Sequence, residues 1–198
     1  DQINYKIEDG VFKTLALLAD AQQQSSVILN EALSLEGRRI WKMSLGNTLK
    51  GEIEAYDDCI EQGYVGLGWG GAIDFSGCED RAAVQERYSK STGKQYDGTS
   101  YNVTAVNTFK NIIAKGDLVI VSDGNQKFRA IAEVTGEYEY YSDSKGRYFN
   151  QCRPVRWLRV FEPSLPKEVL FKKSLAQMTL YELNPYVVKQ DKLKGFLN

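Results

Sequence analysis

GDLVIVSDGNQKFRAIAEVTGEYEYYSDSKGRYFNQCRPVRWLRVF, residues 116–161, is the stretch that decides the fold. Residues 117–122 (DLVIVS) form an apolar run of strand length. Asp123-Gly124-Asn125 follows with hairpin-turn chemistry. From 127 to 134, Phe128, Ala130, Ala132 and Val134 alternate onto one side. Tyr138 and Tyr140 share a face in residues 137–141, and Asp143-Ser144-Lys145-Gly146 makes a second turn. Residues 153–161 set Val155, Trp157 and Arg159 against Arg156, Leu158 and Val160. Consecutive antiparallel strands joined by short turns make a meander, and a meander of this size tends to curl into a barrel.

Upstream of this block, Ser100 or Asn102 caps a helix carrying Val103, Val106, Phe109, Ile112 and Ile113, which Gly116 closes. Residues 80–90 read as a further helix. Residues 64–69 (YVGLGW) read as a strand leading into glycines. Asn47 caps a helix with an apolar stripe of Leu49, Ile53, Tyr56 and Ile60, and residues 39–44 (RIWKMS) read as a short strand. Residues 10–36 have helical spacing in Leu15, Leu18, Leu29, Ala32 and Leu33. Downstream, Ser174 caps a helix through Leu183 that Asn184-Pro185 ends. The charged residues 189–198 read as a linker. The expected class is therefore α+β: a small antiparallel or mixed β-barrel with flanking helices. Three segments are expected: helical residues 1–36, a barrel domain over 37–188 and a linker-like tail over 189–198.

Composition bounds the function. The chain has 198 residues and a formal net charge of −1, which gives little support for bulk nucleic-acid binding. The charge is unevenly placed: residues 51–80 hold eight acids and no Lys or Arg, whereas residues 125–173 hold ten bases against six acids. One basic face is compatible with that distribution, as is ordinary scatter. No apolar run has the length of a membrane span. The start, Asp1-Gln2-Ile3-Asn4, has no signal-peptide form and, lacking Met, reads as that of a fragment or processed chain. Cys59, Cys78 and Cys152 have no paired spacing and read as reduced thiols, so a cytoplasmic location is expected. The absence of histidine removes His general bases, His triads and His-containing zinc sites. Neither a P-loop nor a GxSxG elbow is present. Asp143-Ser144-Lys145 has the Asp-x-Lys form of a nuclease core but sits in a turn. No enzyme, metal or cofactor is expected.

Twelve Tyr, eight Phe and three Trp remain to be explained. Aromatic rings build cores, and they also build walls on which a flat base stacks. Trp69 lies in residues 64–76 (YVGLGWGGAIDFS), where glycines admit a ligand close to the backbone, and Asp74 follows with acceptor capacity. Trp41 and Ser44 lie on the first strand, and Tyr101 and Asn102 open a helix. These residues and Tyr140 form the candidate base pocket. Lys127, Arg129, Lys145 and Arg147 are candidate phosphate contacts. Against three of these stands a plainer reading: core for Trp41 and Trp69, a helix cap for Asn102.

The order RIWKMS, helix, GWGGAIDFS, helix, KGDLVIVSDG, AIAEVTGEYEYY, RPVRWL resembles the EVE-like domains of the PUA superfamily. In particular it is similar to the modified-DNA reader of McrB-type restriction systems, over residues 38–165. Lys115-Gly116-Asp117, the AEVTGEY run from Ala132 and Arg153-Pro154-Val155-Arg156-Trp157 carry the likeness. YTH domains show similar ordering. The resemblance implies a barrel of PUA/EVE/YTH type whose pocket takes an extruded base, with Trp69 as a cage residue, a second wall in residues 138–148 and Trp157 as scaffold. It implies double-stranded DNA carrying a modified, methylated base as partner. It also implies an AAA+ motor domain in the same chain and a separate nuclease subunit. Two rivals stand beside this reading: an RNA reader of YTH or PUA type, and a non-catalytic protein-interaction module.

Overall fold

The alternating run of residues 117–134 becomes two strands at the centre of a curled sheet. The computed structural model describes residues 35–97, 99–142 and 146–197. The helical segment expected over 1–36 therefore lies almost wholly outside the described residues, as does Lys145. Gly37–Leu197 forms one compact unit. Its strands are β1 (Ile40–Ser44), β2 (Tyr64–Leu67), β3 (Leu118–Asp123), β4 (Lys127–Val134), β5 (Glu139–Tyr140), β6 (Gln151–Pro166) and β7 (Leu180–Glu182). Its helices are α1 (Glu54–Gln62), α2 (Arg81–Thr92), α3 (Tyr101–Asn107) and α4 (Gln190–Leu197). A π-helical turn, Thr108–Ile112, continues α3.

The seven strands form one mixed sheet in the order β2-β6-β4-β3-β1-β7, with β5 also on β6. β1 lies parallel to β3, and the other pairs are antiparallel. The sheet curls into a half-barrel that stays open between β2 and β7, the two ends of the path.

Every residue of β3 is buried, because both faces of the sheet are covered. Trp41, Met43, Val119, Val121, Ala130 and Ala132 share one apolar cluster with Cys59, Val103, Val106 and Phe109. The alternating residues Ile40, Leu118 and Ile120 are buried too, on the other face. Phe128 changes sides. Val121 faces Ala130 but Ser122 faces Phe128, so Arg129 is the extra residue of a bulge. Phe128 is thereby turned away from Ala130, Ala132 and Val134 and meets the rings of Phe161, Phe171 and Phe196 at 5.3, 5.8 and 6.3 Å.

Several expected elements change. Asn47 caps only the 3₁₀ turn Thr48–Lys50, and α1 starts at Glu54. The apolar stripe therefore breaks, with Leu49 88% and Ile53 45% exposed. Asn102 lies inside α3 and is not its cap. In place of a helix over 174–183, Leu180–Glu182 pairs with Met43, Lys42 and Trp41, because the outer edge of β1 otherwise leaves its backbone groups unpaired. The tail is not a linker: Leu193 and Leu197 are buried, and Phe196 packs on Phe161. Their i, i+3, i+4 spacing gives α4 one apolar face despite its charge.

Candidate nucleic-acid interface

β2 ends at Leu67, and the chain turns tightly through Gly68–Ile73, with Gly71 N–H on Gly68 O (3.3 Å) and Ile73 N–H on Gly70 O (3.0 Å). Gly70 has φ +97°, and a Cβ there would come 2.8 Å from the Phe75 ring, so only glycine fits. Trp69 stands at this turn, half-buried. Its indole N–H donates to Thr179 Oγ1 at 3.3 Å. Its ring meets Tyr101 edge-on, with centroids 5.6 Å apart. Tyr101 is fixed in turn: its hydroxyl donates to Leu180 O (3.2 Å) and accepts from Leu180 N–H (3.1 Å). The end of β2, the start of α3 and the start of β7 thus converge. The side chain of Asn102, next to Tyr101, is half-exposed and makes no hydrogen bond among the described residues.

Thr179 also borders a cavity of about 260 Å³ at the C-terminal end of β1, where it is joined by Lys42, Ser44, Asn47, Lys50 and Gln177. Lys42 is 2% exposed. Its ammonium donates to Met178 O at 2.5 Å, and burial pulls its pKa down to about 8. Ser44 is pinned by its backbone N–H on Thr179 O at 2.9 Å.

The remaining expected residues separate. Trp41 belongs to the core: it is 2% exposed and its indole N–H donates to Asp117 Oδ2 at 2.8 Å. Asp117 also receives Ala114 N–H at 3.0 Å, so the Lys115-Gly116-Asp117 motif ties β3 to β1. Asp74 is exposed and accepts from Ser76 N–H at 2.8 Å, the geometry of a turn residue. Tyr140 donates to Ala72 O at 2.8 Å and so braces the glycine loop. Gln151 braces it from beneath, donating to Gly71 O (2.7 Å) and Ile73 O (2.9 Å), and it accepts from Tyr138.

Two of the expected phosphate contacts are packed instead. Arg129 is 3% exposed. Its guanidinium lies 3.8 Å from the Tyr56 ring centroid and donates to Leu45 O at 3.0 Å. Arg147 sits over Tyr141 at 3.8 Å and Tyr64 at 4.5 Å. Lys127 remains exposed at the start of β4. It borders a second cavity, of about 390 Å³, with Arg129, Tyr56 and the bowed segment 161–164 of β6.

Sequence reasoning missed Thr179 and Lys42. The signal for Thr179 was the in–out alternation of Met178-Thr179-Leu180-Tyr181. For Lys42 it was a lysine flanked by buried Trp41 and Met43, a spacing that places it within a sheet. Among the described residues no group of three or more Cys, Asp or Glu is placed to hold a metal ion, and no helix is long and apolar enough to cross a membrane.

The protein is thus an α+β domain with a mixed, curled sheet and an aromatic pair at one open corner. The family model described as "Domain of unknown function (DUF8426)" matches residues 41–184, and the chain belongs to that family. Among solved structures, it is similar to the YTH domain of Zygosaccharomyces rouxii MRB1 protein in complex with N6-methyladenosine RNA. The identity is 13%, over 82% of this chain and 89% of that one, with a TM-score of 0.46, a likeness too slight to carry an argument. No curated protein matches the sequence.

Proposed function

We propose that this domain reads a modified, methylated base in double-stranded DNA, as the specificity module of a modification-dependent restriction system. The observation that carries this is the Trp69 corner. A half-buried indole is held at its N–H by Thr179 and at its ring by Tyr101, on a turn of near-bare backbone. Such a ring offers a preset stacking surface to an extruded base, which costs little to order. The free amide of Asn102 and the hydroxyl of Ser44 are the groups we assign to its polar edge. Lys127 holds a backbone phosphate, giving salt-dependent affinity. The sequence resemblance to McrB-type readers supports DNA as the partner, with an AAA+ motor and a nuclease subunit supplying the cutting.

The test is equilibrium binding to matched duplexes carrying methyladenine, methylcytosine, hydroxymethylcytosine or no modification. One modified duplex is expected to bind more tightly than the unmodified one. Trp69→Ala is expected to weaken that binding by roughly 5- to 150-fold, the equivalent of one stacked base. Equal affinity for all four duplexes sinks the proposal, and stronger competition by a methylated RNA assigns the site to RNA instead.

A further inference from the structure

Lys42 is the odd residue of β1. Its neighbours along the strand are core, and it is itself 2% exposed. An ammonium has three N–H donors, yet its hydrogen bonding among the described residues is to Met178 O alone. Its other close partner is the Tyr181 ring, 5.7 Å away. No carboxylate forms an ion pair with it among the described residues. A buried cation without a counter-charge is costly to keep, and this one lines a cavity rather than dense core.

The other cavity groups share the same bias toward donors. Thr179 Oγ1 already accepts from Trp69, so its hydroxyl hydrogen is free to point elsewhere. Asn47 spends its Oδ1 on Leu49 N–H, which leaves its amide N–H₂. Lys50 and the amides of Asn125 and Gln177 complete the lining, opposed by one exposed carboxylate, Glu52. Two ammonium groups and one carboxylate leave the lining with a net positive charge. The complement is a compact, anionic group with several acceptor oxygens, which is the description of a phosphate. A volume of about 260 Å³ admits it together with part of a sugar.

We propose that this cavity is a phosphate-binding site in which the buried Lys42 ammonium is the charge partner, assisted by Lys50, Asn47 and Thr179. The phosphate comes either from a nucleoside monophosphate or from the phosphodiester of a nucleic-acid strand. The site stands on the placement of Lys42 and does not depend on base reading.

The experiment is a chemical-shift titration of the wild-type chain with inorganic phosphate at constant ionic strength, with chloride as the control anion. Saturable shifts are expected at the amides of Lys42, Ser44 and Thr179. Lys42→Met should weaken binding by at least about tenfold while retaining the strand dispersion of the spectrum. General salt effects on the surface appear in both chains and so cancel. The duplex-binding assay reads base recognition and this titration reads phosphate at the Lys42 cavity, so failure here is distinguishable from failure of the base-reading proposal. Parallel titrations with an unmodified nucleoside monophosphate and a dinucleoside phosphodiester assign the source by whichever binds more tightly. The absence of saturable shifts in the wild-type chain overturns the proposal, as does unchanged affinity in Lys42→Met. Should Lys42→Met fail to fold, Lys50→Met, at an exposed position, takes its place: weakened phosphate binding supports the site and unchanged binding overturns it.

Discussion

Arg153 is fully buried in β6, and replacing it with methionine should cost about 3–5 kcal/mol of stability. The magnitude follows from its partners. Nε donates to Phe109 O at 2.6 Å, Nη2 to Lys110 O at 2.7 Å and Nη1 to Gly136 O at 3.0 Å. The first two carbonyls belong to the π-helical turn after α3, and the third lies between β4 and β5. Methionine fills much the same channel but offers no donor, so these carbonyls are left in the core unpaired. Each orphaned acceptor costs about 1–3 kcal/mol. Relief of the guanidinium's own desolvation offsets part of the sum. The Glu137 carboxylate, 3.8 Å away but 77% exposed, contributes little. Arg153→Lys should be nearly as harmful, since one ammonium cannot span carbonyls arranged around a planar fork. Urea unfolding with linear extrapolation measures both variants. A loss below about 1 kcal/mol for Arg153→Met would falsify the claim that this side chain clips α3 to the sheet.

Lys42→Met, in phosphate-free buffer, tests the buried charge. The folded pKa of about 8 lies below the ordinary 10.5, so the penalty is fully present below pH 8 and disappears as pH rises to 10.5. The stability of wild type relative to the variant should therefore rise by about 3 kcal/mol across that window, and a flat difference would contradict it. Trp41→Phe removes one hydrogen bond from the Asp117 carboxylate, which keeps that of Ala114 N–H; it should cost about 1.5–3 kcal/mol and leave the preference among the modified duplexes unaltered. A changed preference would return Trp41 to the pocket. Ending the chain after Lys189 removes buried Leu193 and Leu197 and should cost about 3–6 kcal/mol, measured by thermal unfolding. An unchanged midpoint would make residues 190–197 the linker that their charge suggests.

The central hairpin was legible because its signals are local: alternation in β4 and an Asp-Gly turn between apolar runs. The bulge that turns Phe128 over was not, because it is set by where the Arg129 side chain docks, on Tyr56 and the carbonyl of Leu45. β7 read as helix because residues 174–183 contain neither Gly nor Pro, and its three-residue strand is held by β1 and by the Tyr101 hydroxyl, both far away in sequence. Trp69 was visible as an aromatic among glycines. Its partner Thr179 was hidden by that same misreading of β7, and with it the cavity. Trp41 had the right strand but the inner face. Alternation says that neighbours point oppositely and does not say which face carries the ligand. The basic stretch of residues 125–173 suggested phosphate contacts by composition alone, and aromatic rings took two of its arginines.

The parallel pairing of β1 with β3, and β7 added outside β1, have a kinetic consequence. Both pairings join residues widely separated along the chain, the high-contact-order kind that forms slowly because the loop entropy is spent before any contact rewards it. The Trp69 corner and the Lys42 cavity both need β7 in place, so each exists only once the whole domain has closed. β7 is held to the sheet by only three residue pairs among the described residues, so its detachment breaks few backbone hydrogen bonds. Hydrogen exchange at Leu180, whose N–H rests on the Tyr101 hydroxyl, would therefore follow the opening of the site rather than the unfolding of the domain.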